Sequence, residues 1–404
     1  MEEKYKLPSD WQIKTINEVC NIYTGNSINK KKKEENFIGL KEGLNYIGTK
    51  DISFNNIIEY ENGVKIPFKD LKDFKIAKSN TSLLCIEGGS AGRKIGFTNQ
   101  DVCFGNKLCC FEAIEDEPKF IYFYLQSNDF LREFNSNISG LIGGVNKENL
   151  RKIKIPIPPL DEQKRIASAL SKIDAYLENT IKLIEEKERF KRGIAKKLLT
   201  CKEGENIPEA RFKGFEDEWE IVKLGDMFDN FKEKNNEDKI ILASTIDKGV
   251  IPNSLTERKI IRKKESLSNY KLVKKGCFVI SLMSFQSGFE YSDYEGIISP
   301  AYTVLKPKIE MAHYFYKYYF KSFKFIKDLR PYAEGIRHGK QIKFKACKDI
   351  LVPYPSIEEQ EKIGGYLSLL DKEIDNLKKQ KELIKEMKRG AMQKLLSGEV
   401  RLLE

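Results

Sequence analysis

The side chains able to do covalent chemistry are few in this sequence and do not cluster. His313 and His338 are the only histidines. The eight cysteines, Cys20, Cys85, Cys103, Cys109, Cys110, Cys201, Cys277 and Cys347, never form C-x-x-C. Several sit in apolar runs such as "SLLCIEGG", so they read as small buried thiols of a reducing compartment. With so few histidines, no metal site is expected. The one Pro-Pro, Pro158-Pro159, precedes Leu160, so the [DNS]-P-P-[YF] tetrapeptide of adenine methylation is absent. "GIRHGK" (335–340) is one residue short of a P-loop between its glycines and continues with Gln341 in place of Ser or Thr. "EGGSAGRKIGF" (87–97) holds no G-x-G-x-x-G. What remains is the chemistry of charge and hydrogen bonding.

Several stretches suit contacts to a polyanion. Arg93 and Lys94 follow the apolar run "TSLLCI" inside the glycine-rich segment. That segment is either a turn between strands or a loop whose cations reach phosphates or guanine edges. Asn106 and Lys107 precede the next apolar run, and Asn146 and Lys147 lie in "SGLIGGVNKENL" (139–150). In the second half, Gln286 and Ser287 of "ISLMSFQSGF" suit base edges, since Gln bonds adenine in a bidentate manner. Arg337, His338, Lys340 and Lys343 of "YAEGIRHGKQIKFK" suit backbone or groove contacts. His338 has no metal or nucleophile constellation around it. "NKKKKEE" (29–35) reads as a loop. The aromatic stretches "FIYFYLQSNDFLREF" and "YFYKYYFKSFKF" read as core-packing helices in preference to stacking platforms.

A chain of 404 residues exceeds one ordinary core, so two or more domains are expected. Hydrophobic residues make up 40%, enough for packed cores, and no apolar run is long enough to span a membrane. The opening "MEEKYKLPSDW" is polar and does not read as a signal peptide, so a cytoplasmic location is expected. The net charge is +11 and uneven. Residues 1–154 hold 23 Lys and Arg against 21 Asp and Glu, whereas residues 313–348 hold ten against two. Together with interleaved aromatics, that window favours a nucleic-acid partner.

What must position these residues is a duplication. "IPIPPLDEQKRIASALSKID" (155–174) returns as "VPYPSIEEQEKIGGYLSLLD" (352–371). Aligning Gln163 with Gln360 matches Pro156 with Pro353, Glu162 with Glu359, Ile166 with Ile363 and Asp174 with Asp371, without a gap. The match continues to Lys191-Arg192-Gly193 with Lys388-Arg389-Gly390. A gapless match of this length marks an internal repeat. The two tryptophans, Trp11 and Trp219, open the two halves.

In each copy the prolines favour extended backbone, and the acids that follow suit a helix N-terminus. Ile166, Leu170, Ile173 and Leu177, and Ile363, Leu367, Leu370, Ile374 and Leu377, then recur at spacings of three and four, close to a heptad seam. The spacing predicts two long coiled-coil helices, each roughly 60 Å long at 1.5 Å per residue. Helix two, leaving a like domain with like geometry, would pack on helix one antiparallel. The expected product is a pseudo-twofold dumbbell with unlike heads, which suits the local dyad of duplex DNA. At about 3.4 Å per pair the helix spans roughly 17 base pairs.

The duplicated Trp, the "P-x-P…EQ-x-x-I…L…D" segment and the long helix resemble the specificity subunit of type I restriction–modification systems, over nearly the whole chain. "YIGTKDIS" (46–53) and residues 272–307 also resemble parts of that family's target-recognition domains. The resemblance implies an α/β chain: two similar mixed α/β target-recognition domains separated by two long antiparallel coiled-coil helices. It assigns domain one to 1–155, a hinge and spacer helix to 156–200, a linker to 201–216, domain two to 217–353, and a second hinge and helix to 354–404. It implies a non-catalytic chain without a cofactor of its own, reading a bipartite, asymmetric target in double-stranded DNA. It implies two methyltransferase subunits carrying S-adenosylmethionine as partners, and ATP-dependent motor and nuclease subunits. The residues leave open another reading, a coiled-coil protein scaffold whose basic surface is incidental.

Overall fold

The computed structural model describes residues 7–138, 143–256, 264–281, 287–334 and 341–403. The chain forms two compact units, Met1–Ile181 with Gln380–Glu404, and Lys182–Lys379. Each unit holds one globular head and a stretch of both long helices. The helices run Leu160–Leu199 and Ile357–Leu396, forty residues each.

The heads repeat one construction. In unit one, strands Cys20–Thr24, Leu108–Ala113, Ser82–Cys85 and Ile95–Phe97 form an antiparallel sheet in that order. In unit two, Phe228–Phe231, Thr303–Pro307, Phe278–Ile280 and Glu290–Tyr291 do the same. Each sheet is followed by a pair of short helices from the aromatic stretches: Pro118–Tyr124 and Asn128–Ser136, then His313–Tyr319 and Phe323–Leu329. Ser127 and Ser322 cap the second helix of each pair, accepting from Phe130 N and Phe325 N at 3.2 Å. Phe120, Phe123, Phe130 and Phe134, and Phe315, Tyr316, Phe320 and Phe325, are buried, so these aromatics are core. Unit one adds a second four-stranded sheet around Leu44–Ile47 and Val102–Phe104, which pair in parallel.

The proline segments expected to act as hinges are strands of the heads. Lys154–Ile157 pairs antiparallel with Gln12–Thr15, setting Pro156 opposite Ile13. Leu351–Tyr354 pairs with Glu220–Lys223, setting Pro353 opposite Ile221. Each is a two-stranded edge, where proline's missing N–H is tolerated. A second difference concerns Asn29–Glu35. Lys30–Asn36 is a helix, capped by Asn29 Oδ1 accepting from Lys32 N at 2.8 Å, with Lys30–Glu34 and Lys31–Glu35 paired one turn apart at 3.9 Å.

The repeated Glu-Gln has a mechanical role that periodicity did not reveal. Glu162 and Glu359 are each 1% exposed. The indole of Trp11 donates to Glu162 at 3.1 Å, and that of Trp219 to Glu359 at 2.9 Å. A guanidinium closes each site. Arg401 gives Glu162 two bonds of 2.7 Å, and Arg211 gives Glu359 bonds of 2.8 and 2.7 Å. The neighbouring amide joins helix to head. Gln163 Oε1 accepts from Glu117 N at 2.8 Å and Gln360 Oε1 from Ala312 N at 2.9 Å, just ahead of the first aromatic helix in each head.

The seam residues divide by position. Ile166 and Leu170 join the core of head one with Trp11, Met392 and Leu395, and Ile173 packs beside it. Ile363, Leu367 and Leu370 join the core of head two with Trp219, Phe315 and Leu198. Ile374 is buried, while Leu177 and Leu377 are half-buried. The first turns of each helix are therefore head core as well as helix contact. Within each unit the helix segments run antiparallel, and one ion pair recurs in both units. In unit one Lys388 meets Asp174 at 2.6 Å; in unit two the repeat equivalents, Lys191 and Asp371, pair. Each lysine also lies over a ring of the first aromatic helix, Phe123 at 5.5 Å and Tyr318 at 4.9 Å.

Replacing Glu359 by Ala strands the Arg211 guanidinium, 14% exposed, and the indole N–H. The expected loss of stability is about 3–5 kcal/mol, against about 1.5–3 kcal/mol for Trp219→Phe, which removes one hydrogen bond to a charged group. Urea denaturation of the two variants measures both, and a near-neutral Glu359→Ala would remove the clamp from its structural role.

Candidate nucleic-acid interface

The glycine-rich segment after Ser82–Cys85 is a turn leading into the antiparallel strand Ile95–Phe97. Gly88 and Gly92 take φ values of +81° and +70°, which side chains resist. The turn gathers the unit-one candidates. Ile86 N donates to Lys107 O and Val145 N to Ile86 O, both at 3.0 Å. Glu87 bridges Gly144 and pairs with Lys107 at 3.5 Å. One strand end therefore holds the Arg93 turn, the Asn106-Lys107 turn and the Asn146-Lys147 helix start together. Asn106, Lys107, Asn146 and Lys147 are exposed. Asn146 is committed to capping, accepting from Asn149 N at 2.8 Å, while Lys147 begins that helix with its side chain outward.

Arg93 and Lys94 point to a residue that sequence reasoning missed. Their charged ends lie 5.2 and 4.8 Å from the ring of Phe54, which is 61% exposed. Lys94 also donates to Thr49 O at 3.0 Å and is half-buried, so it braces the 49–54 segment. Arg93 is exposed. The signal available in sequence was the stretch "SFNNI", an aromatic set directly on an Asn-Asn turn, where a core residue is not expected. Asn56 takes φ +64° there, and its amide donates to Gln126 at 2.8 Å.

In unit two the candidates do not assemble in the same way. Gln286, Arg337, His338 and Lys340 lie outside the described residues. Ser287 is 4% exposed beside Glu290, so a base contact by its hydroxyl is blocked by packing. Glu290 is fully buried and paired with Lys321, which also donates to Ile246 O at 3.1 Å. Burial pushes the Glu290 carboxyl up and the Lys321 ammonium down, and their attraction opposes both shifts. The pair ties three segments together behind Ser287. Lys343 is exposed at the start of the helix Phe344–Cys347.

Thiol chemistry finds no support. All eight cysteines are unpaired. Burial pushes the thiol of Cys110 to about 11 and those of Cys103, Cys109 and Cys347 to about 12, which keeps them protonated and inert. Among the described residues no three His, Cys, Asp or Glu side chains group as metal ligands, and no helix is long and apolar enough to cross a membrane.

The duplicated architecture matches known proteins. The model of the type I restriction modification DNA specificity domain matches twice, at residues 8–186 and 216–386. The MjaVIII specificity subunit of a type I restriction enzyme from Methanocaldococcus jannaschii is 26% identical, aligned over 98% of this chain and 94% of its own length. The MjaX protein of the same organism is 28% identical over 272 residues, a match spanning 64% of this chain and 62% of that protein. The EcoBI specificity subunit of Escherichia coli is 20% identical over 92% of this chain and 82% of its own. A crystal structure of the S subunit of a type I restriction–modification system from M. genitalium superposes with a TM-score of 0.59 at 17% identity, covering 98% of both chains. With both halves matched by the domain model and both heads built alike, this chain belongs to the type I restriction modification DNA specificity family.

Proposed function

We propose that this chain is the sequence-reading subunit of a type I restriction–modification complex. It binds double-stranded DNA, with each head addressing one half of a bipartite, asymmetric target. The observation that carries this reading is the contrast between frame and loops. The Trp–Glu–Arg clamp and the Lys–Asp pair are the same in both units. The outward loops differ among the described residues: Lys107 precedes Leu108–Ala113 where Tyr302 precedes Thr303–Pro307, and the helix begun by Lys147 after Asn146 is begun by Phe344 after Lys343. One frame with two unlike faces fits two unlike half-sites. The domains follow the sequence reading, heads at 1–155 and 217–353, a linker at 201–216, and helices within 156–200 and 354–404, with the strand pairings carrying the heads on to Ile157 and Tyr354.

Base and phosphate contacts are assigned to Arg93, Asn106, Lys107, Asn146 and Lys147 in head one, and to Gln286, Arg337, His338, Lys340 and Lys343 in head two. Lys94 supports Arg93 from behind. Two methyltransferase subunits carrying S-adenosylmethionine supply the adenine chemistry, and ATP-dependent motor and nuclease subunits join for cleavage. The chain itself is non-catalytic. The alternative of a protein scaffold is less well supported, because it leaves the convergence of exposed cations and amides in head one without a purpose.

Co-expression with its methyltransferase partner is expected to give adenine methylation at one bipartite sequence, read by methylome sequencing, while the purified chain alone gives none. Exchanging 217–353 for another such domain is expected to change one half-site only; a change in both would overturn the modular reading. Lys147→Gln is expected to weaken duplex binding evenly across sequences and to lower the salt slope of log K by about one. Titrations from low to moderate salt measure it, and an unchanged slope would remove Lys147 from the phosphate contacts.

A further inference from the structure

Unit one holds a cleft of whose lining the assignments above use Arg93 alone. Its volume is about 490 Å³, inside the roughly 300–1,000 Å³ typical of small-ligand sites. It is lined by the 54–56 turn with Arg93 and by the end of the second long helix, from Lys385 to Leu396. Leu131, Met392 and Leu396 add apolar lining.

Its charge is one-sided. Arg93, Lys385, Lys388 and Arg389 line it against a single carboxylate, Asp129, which is already held by Arg132 at 3.3 Å. Lys388 is committed to Asp174, and Lys385 meets Glu382 at 3.2 Å. Arg389 is exposed and, among the described residues, has no ion pair. Amides make up much of the remainder. Among the described residues, the side-chain amides of Asn55, Asn128, Asn135 and Gln393 make no hydrogen bond. At the rim stands the exposed ring of Phe54.

Each of these groups matches one part of a nucleotide. Amides donate and accept side by side, as a base edge requires. An exposed aromatic ring stacks on any base, and guanidinium and ammonium groups take phosphate. A plain apolar ligand would leave the amides and Arg389 unpaired, and a simple anion would make no use of Phe54 and the apolar lining. We propose that this cleft takes one unstacked nucleotide, its base on Phe54 against the amides and its phosphate toward Arg389 and Lys385. The inference rests on the DNA-reading function and adds to it a pocket for a single nucleotide. The nucleotide is either part of a strand or a free mononucleotide, and the chemistry of the site is the same for both.

The test uses the purified full chain with three probes: a labelled single-stranded oligonucleotide, a labelled duplex and adenosine 5′-monophosphate. Phe54→Ala and Arg389→Gln, both at exposed positions, are compared with the parent after their melting temperatures are matched. Loss of single-strand affinity in both variants, by about five- to a hundredfold for Phe54→Ala, with duplex affinity kept within about twofold in Arg389→Gln, supports the pocket and assigns the nucleotide to a strand. Binding of the mononucleotide that both variants lose supports the pocket and assigns it to a free nucleotide. Single-strand and mononucleotide affinities unchanged in both variants, with duplex binding intact, overturn the pocket and leave the DNA-reading function standing. Failure of the parent chain to bind any of the three probes overturns both.

Discussion

The structure depends on a carboxylate that has no business in a protein interior unless it is fully bonded. Glu162 and Glu359 are nearly sealed from solvent, where an unpaired charge costs several kcal/mol. Each is satisfied by an indole N–H and a guanidinium from separate parts of its unit. That requirement fixes three things at once: where the first strand of the head lies, where the long helix begins, and where the segment carrying the arginine must arrive. In unit one that segment follows the second helix and supplies Arg401; in unit two it follows the first helix and supplies Arg211. Two different chain segments thus perform one task.

The helix pair is tuned more by register than by strength. Lys388–Asp174 and Lys191–Asp371 are the same pair written twice, because the repeat carries both residues in both copies. Half-buried pairs of this kind contribute modestly to stability. Their value is geometric: slipping either helix by a turn would separate both lysines from their carboxylates and from the aromatic rings below them. Since the first turns of each helix are also head core, a slip would open the cores around Ile166 and Ile363 as well.

On this frame the loops are free to differ. In head one, backbone bonds from Ile86 and Val145 gather three polar turns at one strand end, so their side chains can vary without disturbing the sheet beneath. In head two the buried Glu290–Lys321 pair does related work, tying the Ile246 turn to the segment behind Ser287.

The sequence by itself determined the duplication, the two long helices and the burial of the aromatic stretches. All are signals of periodicity and gapless repetition, which are local and survive without knowledge of partners. It determined the absence of nucleophile and cofactor motifs in the same way. The roles of Trp11, Trp219, Arg211 and Arg401 were decided only by tertiary structure, because each acts on a carboxylate more than 130 residues away. The prolines predicted the extended backbone these segments have; that they are paired strands of the heads depended on Gln12–Thr15 and Glu220–Lys223 arriving beside them. Ser287 looked available because it is polar, and packing buried it. Phe54 drew no assignment from sequence, and the fold left it in solvent beside Arg93 on the Asn-Asn turn. Exposure is a property of the whole fold, so the composition of a loop names candidates for binding and the packing around it selects among them.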